Sequence, residues 1–212
     1  MNIIDLSQEL DENTQVFPGD PNLKLLQWSN YTIQGYKSET IFTTSHIGTH
    51  IDAPSHFNPD GISVEKIPLE KTVILSKAKV LRIKKDDDEK IEPKDLKEFD
   101  IIQNDTLLIY TGWSLNRQKD NYFKNNPGLS KLGAEYLAEL KINLIGIDSP
   151  SIDPAIDKEF ISHRIFSIKN IPIIENLINL DKINQESFIF IALPLKLKYS
   201  SGSPVRAIAL IN

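Results

Sequence analysis

The sequence contains no cysteine among its 212 residues. This absence excludes a disulfide-stabilised mini-protein, an iron–sulfur cluster, a thiol nucleophile and a cysteine-ligated structural zinc site. Any metal site in the chain must therefore use nitrogen and oxygen ligands.

Basic blocks and long apolar runs are also lacking. The chain has 24 Lys and Arg against 29 Asp and Glu, a net charge of −5, without the basic cluster that binds nucleic-acid phosphates. No apolar run approaches the roughly 20 residues of a membrane span. Residues 1–10 carry Asp5 and Glu9 where a signal peptide has a cationic start. We therefore expect a cytoplasmic protein whose partners are small molecules or copies of itself, with no nucleic acid and no membrane.

The composition is that of a globular chain. With 40% hydrophobic residues, a chain of this length can bury a substantial core within one compact domain. Glycine and proline are scattered and form no linker, so we predict a single domain over residues 1–212. The charged run KKDDDEK at 84–90 is typical of a solvated turn.

Short β-rich segments recur along the chain. They are bounded by Gly, Pro, Asn or Asp, as strands usually are, and cover residues 3–6, 40–51, 72–83, 106–111, 143–147, 187–193 and 205–211. The clearest helix covers 130–141, where Ser130 can cap the first turn and Leu132, Leu137 and Leu140 fall near one stripe. The pattern predicts a sheet-rich α/β fold with a few helices.

Three of the four histidines lie within eleven residues. The segment SHIGTHIDAPSHF at 45–57 places His46, His50, Asp52 and His56 at offsets 0, 4, 6 and 10. On an extended strand these even offsets all point to one face, whereas on a helix Asp52 and His56 would turn away from the first two. Clustered imidazoles beside a carboxylate favour a metal site, and these ligands suit zinc, manganese or iron. The alternative is a set of unrelated surface histidines.

A straight strand keeps His46 and His50 too far apart to share an ion. At about 3.3 Å per residue they would be roughly 13 Å apart, whereas zinc–nitrogen bonds are about 2.0–2.1 Å long. Gly48 lies midway and can supply a bend, and Pro54 cannot donate to a sheet ladder. The segment therefore predicts a strand, a bend and a loop that carry the histidines and Asp52 into one pocket.

The stretch HIGTHIDAPSHF resembles the H-x-G-T-H-x-D-x-P-x-H signature of the cyclase-like metal-dependent hydrolases. Similarity to this family continues in order along the chain, in the segments IDLS (4–7), FPGDP (17–21), TGW (111–113), GIDSPSIDP (146–154), ENL (175–177) and GSPVRA (202–207). The resemblance implies a single sheet-rich domain of the swivelling β/β/α type. It also implies a homo-oligomer, either a dimer or a tetramer.

The resemblance further implies the composition of a catalytic site. Five metal ligands are taken from positions that match the family pattern: His46, His50, Asp52, His163 and Glu175. The last histidine of the signature, His56, is implied to donate and accept protons, so every histidine of the chain belongs to the site. The implied cofactor is a divalent metal, one or two zinc ions with manganese as the alternative.

Several of these residues have ordinary structural interpretations when taken alone. His163 beside Arg164 would be a surface or structural residue, and Glu175 would be the first-turn acid of a short helix at 175–180. Asp148 and Asp153 could orient a metal ligand, but they lie in an Asp/Ser/Pro cluster typical of turns. We therefore leave these two aspartates outside the predicted site.

The resemblance implies hydrolysis of an aryl formamide. The expected substrate is N-formyl-L-kynurenine, giving L-kynurenine and formate in tryptophan catabolism. Phe17 is the predicted substrate-binding residue, and it stands where formamidases of this family commonly have tryptophan. Phenylalanine keeps an aromatic face but loses the indole N–H. Two alternatives stay open: a related hydrolase that opens a cyclic amide such as isatin, and a metal-binding protein without turnover.

Overall fold

A computed structural model describes residues 1–211. Its strands are β1 (Asn2–Asp5), β2 (Lys24–Ser29), β3 (Ser38–Phe42), β4 (His50–Asp52), β5 (Val73–Arg82), β6 (Lys90–Ile91), β7 (Thr106–Tyr110), β8 (Gly128–Leu129), β9 (Leu144–Ile147), β10 (Ile173–Glu175), β11 (Phe188–Pro194) and β12 (Gly202–Ile211). Its α-helices are α1 (Tyr31–Gln34), α2 (Pro93–Leu96), α3 (Lys131–Glu139) and α4 (Ile161–Ile168). Over the described range, every helix is too short or too polar to cross a membrane.

The largest sheet closes into a ring. Its strand order is β1-β12-β11-β5-β7-β9-β10-β4, and β4 also pairs with β12. Seven strands therefore form the ring, while β1 pairs with the second half of β12. Strands β5, β7, β9 and β10 run parallel to their neighbours in that series, and the remaining pairings are antiparallel. This mixed, sheet-rich architecture confirms the predicted α/β class.

The parallel strands bury both of their faces. In β7, Leu107 and Ile109 pack with Leu137 of α3 and Phe166 of α4, whereas Leu108 belongs to the cluster that fills the ring. Successive side chains of a strand point to opposite faces. The continuous apolar runs in the sequence follow from this double burial, because helices cover one face and the ring interior covers the other.

Most predicted elements occur near their predicted bounds. Strands β7 and β9 differ from the predicted segments by one residue at one end, and β5 and β11 differ by one residue at each end. Ser130 caps α3 as predicted, since its Oγ accepts from Gly133 N at 3.1 Å. The predicted stripe of α3 was wrong at Leu132, which is 61% exposed. The buried face instead runs through Gly133, where a Cβ would lie 2.6 Å from the Ile91 carbonyl oxygen.

The single extended segment predicted at 40–51 was wrong. Strand β3 ends at Phe42 and β4 begins only at His50, and the two strands belong to different sheets. Gly48 has a φ of 55° within the intervening turn, a conformation that L side chains rarely adopt. The bend therefore lies at Gly48, as predicted from the spacing of the histidines, but residues 43–49 belong to no strand.

The helical interpretation of 175–180 was also wrong. Glu175 ends strand β10, and Asn176 follows with a φ of 59°, which an α-helix does not allow. Helix α4 was not predicted at all. It begins after Phe160, whose φ is 54° and whose side chain provides no cap, so the usual start signals are missing.

A β-hairpin stands apart from the ring. Strands β2 and β3 pair with each other in a separate two-stranded sheet, with α1 at the tip. We call residues 24–42 the arm. Its large apolar side chains are exposed, among them Trp28 at 77%, Ile33 at 76% and Phe42 at 57%.

Candidate metal centre

Neighbouring strands bring the ligand candidates together. Strand β4 carries His50 and Asp52, and the register of β10 places Glu175 directly opposite His50. Helix α4 contributes His163, and the turn before β4 contributes His46. Apart from His46, these side chains are almost completely buried.

Backbone groups orient the two signature histidines. The Nδ1 of His50 donates to the Gly48 carbonyl at 2.8 Å, so Nε2 is the nitrogen of His50 that can bind a metal once its proton is released. The ring of His46 packs on the Gly202 backbone, where a Cβ would lie 2.4 Å from the imidazole. Gly202 was not predicted as a site residue because its contribution is the absence of a side chain.

The ligand atoms form two groups that share one carboxylate. The first group is His46, His50 and Asp52, and the second is Asp52, His163 and Glu175, with ligand atoms in each within 4.8 Å of one another. Oδ1 of Asp52 lies 2.6 Å from His46 Nδ1 and 3.3 Å from His50 Nε2. Oδ2 of Asp52 lies 3.2 Å from His163 Nε2. All five predicted ligands therefore meet at one place.

The donor set fits a divalent cation. Glu175 Oε1 lies 3.1 Å from His163 Nε2, and Oε2 lies 3.6 Å from His50 Nε2. Within residues 1–211, no lysine or arginine pairs with Asp52 or Glu175. The ion-pair partners of these two buried carboxylates are imidazoles, which face them through Nε2 of His50 and His163 and Nδ1 of His46. Such a nitrogen and oxygen site is of the type that binds zinc or manganese.

Asp153 holds His163 in its orientation. Oδ2 of Asp153 accepts from His163 Nδ1 at 2.6 Å, and Oδ1 accepts from Ser162 N at 2.6 Å. The carboxylate therefore caps the first turn of α4 and fixes the tautomer that points Nε2 of His163 at Asp52. In the sequence, Asp153 belongs to the Asp/Ser/Pro cluster that is typical of turns. Only its contact with His163 distinguishes it from a turn residue.

Replacing Asp153 should weaken metal binding. In Asp153→Asn, the amide no longer provides the anionic acceptor for His163 Nδ1, and loss of such a partner typically lowers metal affinity about 10- to 100-fold. Competition with a chromophoric chelator measures this affinity. The matched control is Asp157→Asn, because Asp157 accepts from Ile161 N of the same helix without touching His163. Equal affinities for the two variants would contradict the role of Asp153.

The carboxylates change the pKa of the buried histidines. Burial alone would lower the pKa of His50, but Asp52 and Glu175 outweigh it and raise that pKa to about 9. Burial is likewise outweighed at His163, where Glu175, Asp153 and Asp52 raise the pKa well above its usual range. The metal-free cluster therefore holds protons where a cation would bind, and metal uptake must release them.

These shifts predict how the stability of the metal-free protein depends on pH. The pKa of His50 rises on folding from 6.5 to about 9. Its stabilising contribution is complete below the unfolded value and is lost as the pH rises through the folded value. We expect the unfolding temperature in chelator to fall between pH 6.5 and 9, and to fall less with saturating zinc. A flat or rising profile in chelator would contradict this assignment.

His56 lies beside the ligand groups and belongs to neither. It ends a single 3-10 turn, Pro54–His56, and its ring stacks on His46 with centroids 4.0 Å apart. Desolvation in the cavity, with repulsion from the other three histidines, lowers the pKa of His56 to about 4. This value is below the ordinary 6.5 expected for a free imidazole. The ring is therefore neutral near pH 7 and can accept a proton.

The histidines open into a cavity with an aromatic wall. This cavity, of about 320 Å³, is lined by all four histidines and by Phe17, Phe57, Phe123 and Phe160. Ring centroids lie 6.2 Å apart for Phe17 and Phe123, 6.0 Å for Phe17 and Phe160, and 4.7 Å for Phe57 and His163. These are ordinary aromatic contact distances. Of these phenylalanines, the sequence identified only Phe17, because Phe57 follows the last histidine of the signature and Phe123 and Phe160 lie in segments without a motif.

Chemistry rather than size identifies this cavity as the candidate site. A larger polar cavity of about 760 Å³ lies between the N-terminal segment and Arg117, and none of the histidines lines it. The smaller cavity combines convergent ligands, perturbed pKa values and an apolar wall, which together are typical of an active site.

The Cyclase family model matches residues 4–154. This range includes the signature histidines and Asp52, and it covers more than two thirds of the chain. The chain belongs to the cyclase family. A kynurenine formamidase from Geobacillus thermodenitrificans (strain NG80-2) is 36% identical to it over 205 residues, which cover 96% of this chain and 95% of that protein. These findings confirm the family indicated by the signature.

Solved structures of the same fold agree with this assignment. Isatin hydrolase A from Labrenzia aggregata, bound to benzyl benzoate, superposes on this cyclase-family chain with a TM-score of 0.89 at 26% identity, covering 99% of this chain and 93% of that one. A structure described as a potential metal-dependent hydrolase with cyclase activity gives a TM-score of 0.83 at 26% identity, covering 98% and 96%. The predicted cyclase-like fold is thereby confirmed.

Proposed function

We propose that this chain is a metal-dependent amidohydrolase that cleaves an aryl formamide, with N-formyl-L-kynurenine as substrate and L-kynurenine and formate as products. The observation that carries the proposal is the convergence of five metal-ligand side chains at one end of a phenylalanine-walled cavity. The similarity to a kynurenine formamidase over nearly the whole chain supports the same reaction.

The proposed metal ligands are His46, His50, Asp52, His163 and Glu175. A divalent metal supplies such a site with Lewis acidity, which lowers the pKa of water to about 7 and polarises a carbonyl group. We propose zinc, with two ions per chain, because Asp52 belongs to both ligand groups. Manganese has the same ligand preferences and is the alternative, since every ligand is nitrogen or oxygen.

His56 is the proposed proton carrier. Its neutral ring accepts a proton from the water that attacks the formyl carbon. The same nitrogen then gives this proton to the amide nitrogen as the carbon–nitrogen bond breaks. The water oxygen stays on the formyl carbon, and the aryl amine leaves. The stacking contact with His46 keeps the His56 ring beside the ligand groups without placing it among them.

The phenylalanines are the proposed binding surface for the aryl ring. Phe17 is partly exposed at 42% and contacts Phe123 and Phe160 across the cavity. A flat ring inserted between these side chains would gain offset or edge-to-face contacts of about 0.5–1.5 kcal/mol each. Phe17 can provide this contact without the indole N–H that tryptophan would add.

Opening of a cyclic amide such as isatin is the second candidate reaction. The fold similarity to isatin hydrolase A favours it, and both reactions use the same ligand set and an aromatic substrate. The whole-length relatives support the formamide more directly.

Steady-state assays of zinc-loaded protein separate the two reactions. We expect release of formate from N-formyl-L-kynurenine with a kcat/KM at least tenfold above that for isatin, and loss of both activities in chelator. Formate release no faster than in the chelated control would overturn the formamidase proposal. Isatin opening in its place would establish the second reaction, and tight zinc binding with turnover of neither would establish a metal-binding protein.

We also propose that the chain is a single-domain homo-oligomer, a dimer or a tetramer, in which the arm binds a second copy. A lone two-stranded hairpin is marginally stable in water, yet the arm exposes eight large apolar side chains: Leu25, Leu26, Trp28, Tyr31, Ile33, Tyr36, Ile41 and Phe42. Exposed apolar side chains grouped in this way are typical of a protein–protein interface.

Charges on the arm should dissociate the oligomer. In Trp28→Arg/Ile33→Arg, two exposed apolar side chains of the arm become cationic, and burial of unpaired charge is costly. We expect light scattering after gel filtration to give the monomer mass for this variant and a multiple of it for the wild type. Leu132→Arg, on the exposed side of α3, is the control and should keep the wild-type mass. A monomeric wild type would contradict the proposal.

A further inference from the structure

A tight turn carries both Phe17 and Asp20 to the cavity. The backbone N of Asp20 donates to the Phe17 carbonyl at 2.9 Å, and Gly19 at the third position has a φ of 105°. Pro followed by Gly at the centre is typical of a type II turn. Both ends of the turn line the cavity, so an acid accompanies the aromatic side chain at the wall.

The carboxylate of Asp20 differs from the other acids of the cavity. Asp52 and Glu175 are enclosed by histidines, whereas the Asp20 side chain has no ion pair or hydrogen bond within residues 1–211. It is half-buried, and the described cavity lining contains no lysine or arginine. Among the described residues, Asp20 therefore places a carboxylate without a polar partner at an apolar wall of the cavity.

The aromatic side chains lead from the ligand groups to this turn. The ring centroids of His163 and Phe160 lie 6.0 Å apart, and those of Phe160 and Phe17 also lie 6.0 Å apart. A substrate ring along this wall, with its reacting group at the ligands, would extend any tail toward the turn at 17–20. A positively charged tail would meet the Asp20 carboxylate there.

We propose that Asp20 is a specificity-determining residue that binds an ammonium group on the tail of the aryl substrate. The proposal rests on the proposed function, because N-formyl-L-kynurenine carries an α-ammonium group on the tail attached to its ring. A charge-assisted hydrogen bond in a partly desolvated cavity favours such a ligand over its deaminated analogue. A carboxylate tail without the ammonium group is repelled by the same residue.

The first test compares substrates that differ only in the ammonium group. Zinc-loaded wild type and Asp20→Asn are assayed with N-formyl-L-kynurenine and with its deamino analogue, 4-(2-formamidophenyl)-4-oxobutanoate. We expect the wild type to prefer the ammonium substrate, and Asp20→Asn to reduce the ratio of the two kcat/KM values about tenfold. The change should lie in KM, because the ammonium contact is the same in ground and transition states.

The second test measures binding without turnover. Calorimetry with zinc-loaded protein compares L-kynurenine with 4-(2-aminophenyl)-4-oxobutanoate, its deamino analogue. We expect Asp20→Asn to lose about tenfold in affinity for L-kynurenine only. Glu12→Gln is the matched control, since Glu12 is an exposed acid of the same segment outside the cavity, and it should keep the wild-type ratio of affinities.

The two tests separate this proposal from the proposed reaction. Ammonium-selective binding that depends on Asp20, in a protein that releases no formate, would support the role of Asp20 and overturn the formamidase proposal. If the protein releases formate equally well from both substrates, and Asp20→Asn does not change this ratio, the formamidase proposal is supported and the role of Asp20 is overturned. The role of Asp20 would also be overturned if the wild type bound neither L-kynurenine nor its deamino analogue. The same holds if Glu12→Gln lost as much affinity for L-kynurenine as Asp20→Asn.

Discussion

In a His56→Ala variant, we expect wild-type zinc content with a kcat/KM that is lower by about two to four orders of magnitude. The ring of His56 stacks on His46 but belongs to neither group of ligand atoms, so its loss removes proton transfer and leaves the ligands in place. The lowered pKa, about 4, keeps the wild-type ring neutral at pH 7. Elemental analysis and steady-state kinetics on the same preparation measure the two effects.

His46→Ala is the control for this comparison. His46 is the stacking partner of His56 and lies 2.6 Å from Asp52, so this variant should lose both zinc and turnover. If His56→Ala loses zinc in proportion to its activity, His56 is a ligand and not a proton carrier. Full turnover in His56→Ala would remove the residue from the chemistry altogether.

Asp52→Asn should lose at least nine tenths of the bound metal and with it all measurable turnover. One oxygen of Asp52 faces His46 and His50, and the other faces His163. The amide keeps the shape of the side chain but provides neither the charge nor two acceptor oxygens. Both ligand groups are therefore affected by a single substitution. Metal content after dialysis, measured per chain, is the direct readout.

Glu175→Gln is the informative comparison for Asp52→Asn. Glu175 belongs only to the second ligand group, so a two-metal protein should retain about one ion in this variant and almost none in Asp52→Asn. Retention of two ions by Asp52→Asn would contradict the shared position of this carboxylate. Loss of the metal to the same low content in both variants would indicate a single metal position.

The local part of the site could be predicted from residue spacing. His46, His50, Asp52 and His56 lie in one short segment, and the reach of a zinc–nitrogen bond forced the chain to bend between the first two. The structure places that bend at Gly48. Spacing alone did not reveal that His46 leaves the sheet entirely, because the turn is stabilised by contacts with Ser201 and Gly202, far along the chain.

The distant part of the site could be predicted only from the resemblance. His163 and Glu175 meet Asp52 through the pairing of β10 with β4 and the packing of α4, and neither contact leaves a local pattern. The local pattern of Glu175 was misleading, since an acid before Asn-Leu fits a helix start until the positive φ of Asn176 is known. The aromatic wall was missed because its members come from four separate segments.

The ring of seven strands is closed through its shortest strands, one of which is β4. Strand β4 is three residues long, pairs with β10 on one side and with residues 202–204 of β12 on the other, and carries two of the proposed ligands. A nascent chain that has released every ligand residue from the ribosome still lacks the second partner of β4 until residues 202–204 emerge. The two proposed ligands on β4 therefore reach their final positions only when β12, the last strand of the ring to be synthesised, pairs with β4.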